Sequence, residues 1–206
     1  MYILPSFQNT NENEALDFIE SVNFADVVTC FDGVMLSNKY PLFLNREQKR
    51  LFGHVGRRNP QLEHLQAGAA NVLLIFSGPG AYVSPQWYAS RNMVPTWNFQ
   101  TLQIRGTVQV LDDSQLPETL QDLTQFHESP FGQAWTLSQL DAAPRQSMLN
   151  MLAAFAVDIE DIRFKEKLSQ NRSPKDRRRV AEQLSKQGDA GSVAIARLMQ
   201  KQLERS

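Results

Sequence analysis

The sequence predicts a mainly β, α+β fold, an antiparallel sheet or small barrel with flanking helices. Three observations predict it. Short apolar or alternating runs recur between turn signals, as strands do. Asp32-Gly33 joins two of these runs in the manner of a two-residue hairpin turn. Helical stripes fall at the two ends and in insertions, so hairpin signals outnumber the helix crossovers of a doubly wound sheet.

The elements follow in order. Asn11-Glu12-Asn13-Glu14 supplies a cap and first-turn acids for a helix whose apolar face is Leu16, Phe18 and Ile19. Residues 24–31 are rich in β-branched side chains and read as a strand. A second strand starts at Val34 and is expected to continue beyond Pro41 toward Leu42-Phe43-Leu44, with Pro41 marking an edge or an irregularity. Residues 45–58 are polar and basic. Pro60 to Leu65 reads as a short helix capped by Asn59. Asn71 to Phe76 reads as a buried strand broken by a turn at Ser77-Gly78-Pro79-Gly80.

Residues 94–111 are the longest strand candidate, and the alternation over 102–110 predicts one buried face. Helices are expected over 117–127, with Leu116, Leu120 and Leu123 on one stripe, and over 145–154. Residues 156–162 alternate as a strand. Ser173-Pro174-Lys175-Asp176 is a capping box, and Gly188-Asp189 separates two final helices. The expected organisation is a body over residues 1–172 and a helical extension of the same domain over 173–206.

The chain has 206 residues, 21 lysines and arginines and 22 aspartates and glutamates, for a net charge of −1. That balance excludes a uniformly basic nucleic-acid coat but not a basic patch. A lone cysteine, Cys30, excludes an internal disulfide, and a strand position predicts it as a small buried hydrophobe. Three scattered histidines lack metal-pair spacing, so no metal is expected. With no long apolar run and no basic-then-apolar leader, the expectation is a soluble cytoplasmic protein without a membrane partner.

The standard catalytic signatures are absent. Three features carry possible chemistry. Residues 79–99 concentrate Tyr82, Ser84, Trp87, Tyr88, Thr96, Trp97 and Asn98. A packed aromatic corner is the commoner meaning of such a block, and a wall for a planar ligand is the sharper one. Spacing does not separate them. Lys165 to Arg172 offers Lys165, Lys167, Ser169, Gln170 and Asn171 around a strand end, which suits either a phosphate or a solvated turn. Residues 160–186 hold nine cations and five acids, a surplus of four, so a helix bearing Arg177-Arg178-Arg179 either meets DNA phosphates or is an exposed helical face. His54 lies close to Arg57 and Arg58 in sequence and could orient a ligand or a partner chain.

Several ordered blocks resemble the PaiB-type FMN-binding negative transcriptional regulators. They are Gly53-His54-Val55-Gly56-Arg57-Arg58-Asn59-Pro60, residues 76–88, Val94-Pro95-Thr96-Trp97-Asn98-Phe99 and Lys167-Leu168-Ser169-Gln170-Asn171. The resemblance implies an FMN-binding split β-barrel with C-terminal helices, a homodimer, and FMN at the subunit interface. It implies cofactor contacts from Ser37, Asn38, Lys39, Trp87, Thr96, Trp97, Asn98, Lys167 and Gln170. Lys39 stands where the family usually has His, Asn38 where it has Ser or Thr, and Phe164 where it has Gly. The alternatives are a flavin-dependent oxidoreductase of the pyridoxamine-phosphate-oxidase-like superfamily and a dimeric scaffold without flavin.

Overall fold

The structure, a computed structural model, describes residues 1–67, 71–132 and 135–204. Its strands are β1 (Gln8–Asn9), β2 (Phe24–Phe31), β3 (Val34–Pro41), β4 (Phe43–Asn45), β5 (Arg50–Gly56), β6 (Asn71–Val83), β7 (Thr96–Val110) and β8 (Leu152–Lys167). Its α-helices are α1 (Glu12–Val22), α2 (Gln61–Gln66), α3 (Leu116–Glu128), α4 (Ala142–Leu149), α5 (Pro174–Ser185) and α6 (Ala190–Glu204). The sheet order is β3-β2-β6-β7-β8-β5-β4, with β1 paired to β8. Every register from β1–β8, β2–β3, β2–β6, β4–β5 to β5–β8 is antiparallel. The chain divides into two units. One comprises residues 1–15, 77–102 and 163–206, the other residues 16–76 and 103–162.

In the second unit, β2 and β3 form the expected hairpin. Phe31 faces Val34 across Asp32 (φ 47°) and Gly33 (φ 75°), the paired left-handed conformations that a type I′ turn requires. Pro41 ends β3, the terminal strand of the order, where a missing amide donor costs nothing. The strand does not run on to Leu44, because β4 pairs instead with β5. β5 itself lies in the stretch that reads only as polar and basic. Its inward positions are Leu51, Gly53 and Val55, and the glycine hides the alternation. A Cβ at Gly53 would stand 2.8 Å from both Leu42 and Phe155, so the core excludes any side chain there. The helix expected over 145–154 ends at Leu149, and Ala153 and Ala154 are buried in β8 against β5. β8, not β7, is the longest strand. Cys30 is exposed rather than buried, since Ala25, Val27 and Thr29 take the inward face of β2.

In the first unit, Ala81, Val83, Tyr88 and Leu168 pack with Val180, Leu184, Ile195 and Met199 of α5 and α6. Each of these large apolar side chains contributes about 1.5–3 kcal/mol on burial. Ser77-Gly78-Pro79-Gly80 is not a turn but part of β6. The glycine that serves close approach is Gly191 of α6: a Cβ there would lie 2.6 Å from the Gly80 carbonyl oxygen. The Ser173 hydroxyl caps α5 by accepting from the Asp176 amide at 3.1 Å, and Asp189 accepts from the Ser192 amide at 2.9 Å to start α6. Among the described residues no helix is long and apolar enough to cross a membrane.

Candidate functional site

The first unit brings the two sequence blocks into contact. β7 begins at Thr96, and β8 ends at Lys167. The Lys167 ammonium donates to the Thr96 hydroxyl. Two residues further along each strand end, the fully buried Asn98 donates to the Ser169 hydroxyl at 3.0 Å and the Met199 sulfur at 3.4 Å, and the Ser169 hydroxyl donates back at 3.2 Å. Ser169 is buried with φ 63°, a left-handed conformation uncommon outside glycine and asparagine. Gln170 locks the same turn: its carbonyl accepts from the Leu168 amide at 2.7 Å and its amide donates to the Glu166 carbonyl. Strained turns held by several bonds recur at ligand sites.

The electrostatics are those of an anion site. Burial pushes the Lys167 ammonium below the ordinary lysine pKa, and the positive charges of Lys165 and Arg172 push it further. Lys165 donates to the Tyr2 carbonyl at 3.2 Å and lies 5.4 Å from the Phe99 ring centre. Neither lysine takes part in an ion pair among the described residues. Tyr82 and Trp97 meet edge-to-face at 6.2 Å and are 46% and 57% exposed. By its chemistry such a set, cations and a hydroxyl with exposed aromatic rings in the same unit, fits a phosphate and a flat ring. A nearby cleft of about 330 Å³ carries Glu14, Glu166 and Gln170 in its wall. Its two carboxylates make it unsuitable for a phosphate.

The aromatic block does two jobs. Tyr88 is buried in the helical core, with the Arg172 guanidinium 5.9 Å over its ring, and Trp87 packs on the same core. These two are the packed corner. Ser84 is half-buried and caps a short turn by accepting from the Gln86 amide at 3.3 Å. Asn171 is exposed. Asp176, whose role reaches beyond its helix cap, accepts from the Ala89 amide (2.7 Å), the Ser90 amide (3.0 Å), the Ser90 hydroxyl (2.7 Å) and the Ser173 hydroxyl (2.8 Å). These bonds, led by the Ser90 hydroxyl, hold its carboxyl down to about 2. It clasps the aromatic loop to α5. The capping box revealed the cap but not the distant partner.

The second unit holds the remaining candidates. Lys39 is exposed on β3 and pairs with Asp26 at 2.7 Å, over the Phe24 ring. Ser37 is exposed two residues earlier, on the same side of the strand. Asn38 points to the other side and donates to Gln61 at 2.8 Å. Arg57 pairs with Asp113. His54 lies half-buried on β5. Burial pushes its imidazole below the ordinary pKa, and its Nδ1 has no hydrogen-bond partner among the described residues. Gln61, which no motif flags, is fully buried and organises a polar network. Its carbonyl accepts from Asn38 and from the Tyr40 hydroxyl at 2.8 Å, and its amide donates to the Val27 carbonyl (2.8 Å) and the Thr29 hydroxyl (3.1 Å). Thr29 in turn bonds His64 at 3.0 Å. Burial raises the Tyr40 phenol pKa against the lowering effect of Asn59 and Asn38.

The model of the family described as "Putative FMN-binding domain" matches residues 1–161. The Bacillus subtilis protein "Protease synthase and sporulation protein PAI 2" is 33% identical over 207 residues, covering 100% of this chain and 99% of that protein. An uncharacterized Aspergillus fumigatus protein is 28% identical over 71% of this chain and 70% of its own length. Among solved structures, the FAD and heme binding protein from Mycobacterium smegmatis matches with a TM-score of 0.61 at 19% identity, over 78% of this chain and 73% of that one. A flavocytochrome from Azotobacter vinelandii matches at 0.60 and 13% identity, over 78% and 69%. These likenesses carry the split-barrel fold.

Proposed function

We propose a function for this chain on one premise: it belongs to the PaiB-type FMN-binding family. Our reading is an FMN-binding split-barrel regulator that represses transcription as a cytoplasmic homodimer. The carrying observation is the contact between β7 and the end of β8. There a half-buried Lys167 reaches Thr96 beside the locked Ser169-Gln170 turn, in the unit that also exposes the Trp97–Tyr82 pair.

Lys167, Lys165 and Thr96 take the phosphate, and Trp97 and Tyr82 offer the apolar surface for the ring. Asn98, Ser169 and Gln170 hold that geometry, and Asn171 lies at its exposed rim. Ser84, Trp87 and Tyr88 support it from the loop. Through the family resemblance we assign Ser37, Asn38, Lys39, His54 and Arg57 as a second candidate set, contributed where two subunits meet. FMN would supply flavin electronic chemistry; the chain's residues bind and orient it.

The test is a visible spectrum of purified protein before and after FMN addition, with sedimentation and electrophoretic mobility measured alongside. A flavin spectrum, a dimer mass and salt-sensitive DNA retardation are expected. A flavin-loaded protein that oxidises NADPH and ignores DNA would replace the regulator by the oxidoreductase.

A further inference from the structure

We propose that the exposed cations at the start of α5, with Arg91 of the loop clasped against it, form one docking surface for the phosphate backbone of duplex DNA. The proposal rests on the regulator reading and deepens it by naming the surface and the residue that builds it.

Asp176 is the only acid between Ser173 and Val180, and it is 2% exposed. Its oxygens are consumed by Ala89, Ser90 and Ser173. The outward face of the first turns of α5 therefore shows Lys175, Arg178 and Arg179, all exposed, and no carboxylate. Three of these bonds bring residues 89 and 90 to this helix start. The next residue, Arg91, is exposed, and Asn92 takes a left-handed conformation (φ 59°). Arg172, two residues before α5, is anchored over the Tyr88 ring.

The patch has clear limits. Arg177 is buried and donates to Gln202 at 3.1 Å, so it fastens α5 to α6 rather than facing a partner. Glu182 pairs with Lys186 at 2.6 Å and draws on Arg179, which ends the positive surface about two turns along α5. None of Arg91, Arg172, Lys175 or Arg178 takes part in an ion pair among the described residues. A carboxylate buried inside a group of outward cations gives a surface of one sign. Charge complementarity to a rail of regularly spaced phosphates follows. Asp176 is a positioning residue here: it fixes Ala89 and Ser90, the residues just before Arg91, without touching DNA.

The experiment is fluorescence anisotropy with a labelled mixed-sequence duplex, across a salt series, using the full-length protein. Arg91→Ala, Lys175→Ala and Arg178→Ala should each reduce the slope of log affinity against log salt by roughly 0.9. Each should also weaken binding roughly fivefold to tenfold near physiological salt. Asp176→Asn should match Arg91→Ala in slope, and Lys201→Ala on α6 should leave the slope unchanged. Circular dichroism checks folding, and the exposed Arg91→Ala keeps the test decisive if Asp176→Asn does not fold. If Lys175→Ala and Arg178→Ala weaken binding while Arg91→Ala behaves like Lys201→Ala, the shared surface is wrong and the helix-only regulator reading survives. If wild type binds no duplex even at low salt, both fall. Retention of single-stranded RNA with no competition by duplex would overturn DNA as the partner.

Discussion

Gln61 and Lys167 each sit at the centre of a polar cluster, one in each unit, and the clusters differ in what they leave open. Around Gln61 every amide valence is used: two donors reach its carbonyl and its amide finds Val27 and Thr29. Around Lys167 a cation is held against Thr96 near two further cations, with no carboxylate pairing it among the described residues. A saturated network fixes a core; an unsaturated one of single sign attracts a ligand. The difference also sorts the candidates on β3. Asn38 is occupied by the Gln61 network, whereas Ser37 and Lys39 face outward.

The largest effect is expected from Gln61→Leu. It leaves Val27, Thr29, Asn38 and Tyr40 without their buried partner, at about 1–3 kcal/mol for each group that water does not reach. We expect a loss of about 3 kcal/mol or more in urea unfolding.

Asp176→Asn comes next, at about 2 kcal/mol at neutral pH from lost charge-assisted bonds. Its pH dependence has a definite sign. The folded carboxyl is depressed from 3.8 to about 2, so its stabilisation is present above the unfolded value and disappears as pH falls from near 4 through 2. Acid unfolding should show this step in wild type and lack it in the variant.

Lys167→Ala should weaken FMN binding about tenfold, or about 1.4 kcal/mol, with little change in melting temperature. Because its pKa is lowered, the ammonium discharges at lower pH than an ordinary lysine, so FMN affinity should fall early on the alkaline side. Lys165→Ala should move that fall to higher pH. The smallest effect is at Cys30: its exposed thiol should react with a thiol reagent in the native protein without shifting the melting temperature.

Much of the fold was legible where side-chain periodicity carries it. Asp32-Gly33, the stripe of α3 and the Ser173 cap all appear as read. The misses share a cause. Gly53 removes a side chain from an inward position and so erases the alternation of β5. Gly78-Pro79-Gly80 has turn composition, yet Gly80 faces Gly191 across the first unit, a contact no local window contains. Ala153 and Ala154 suit a helix by propensity, and pairing with β5 overrides it. The candidate site was legible as blocks. The division of the aromatic block into buried Tyr88 and exposed Trp97 was not, because it depends on α5 and α6 covering one part of it.

Binding of FMN at the Lys167 cluster is decided by a flavin-fluorescence titration of wild type beside Lys167→Ala. Saturable quenching by wild type, weakened about tenfold in the variant while the fold is retained, is the predicted result. Equal affinity in the two proteins, or no quenching by wild type at any FMN concentration, would contradict it.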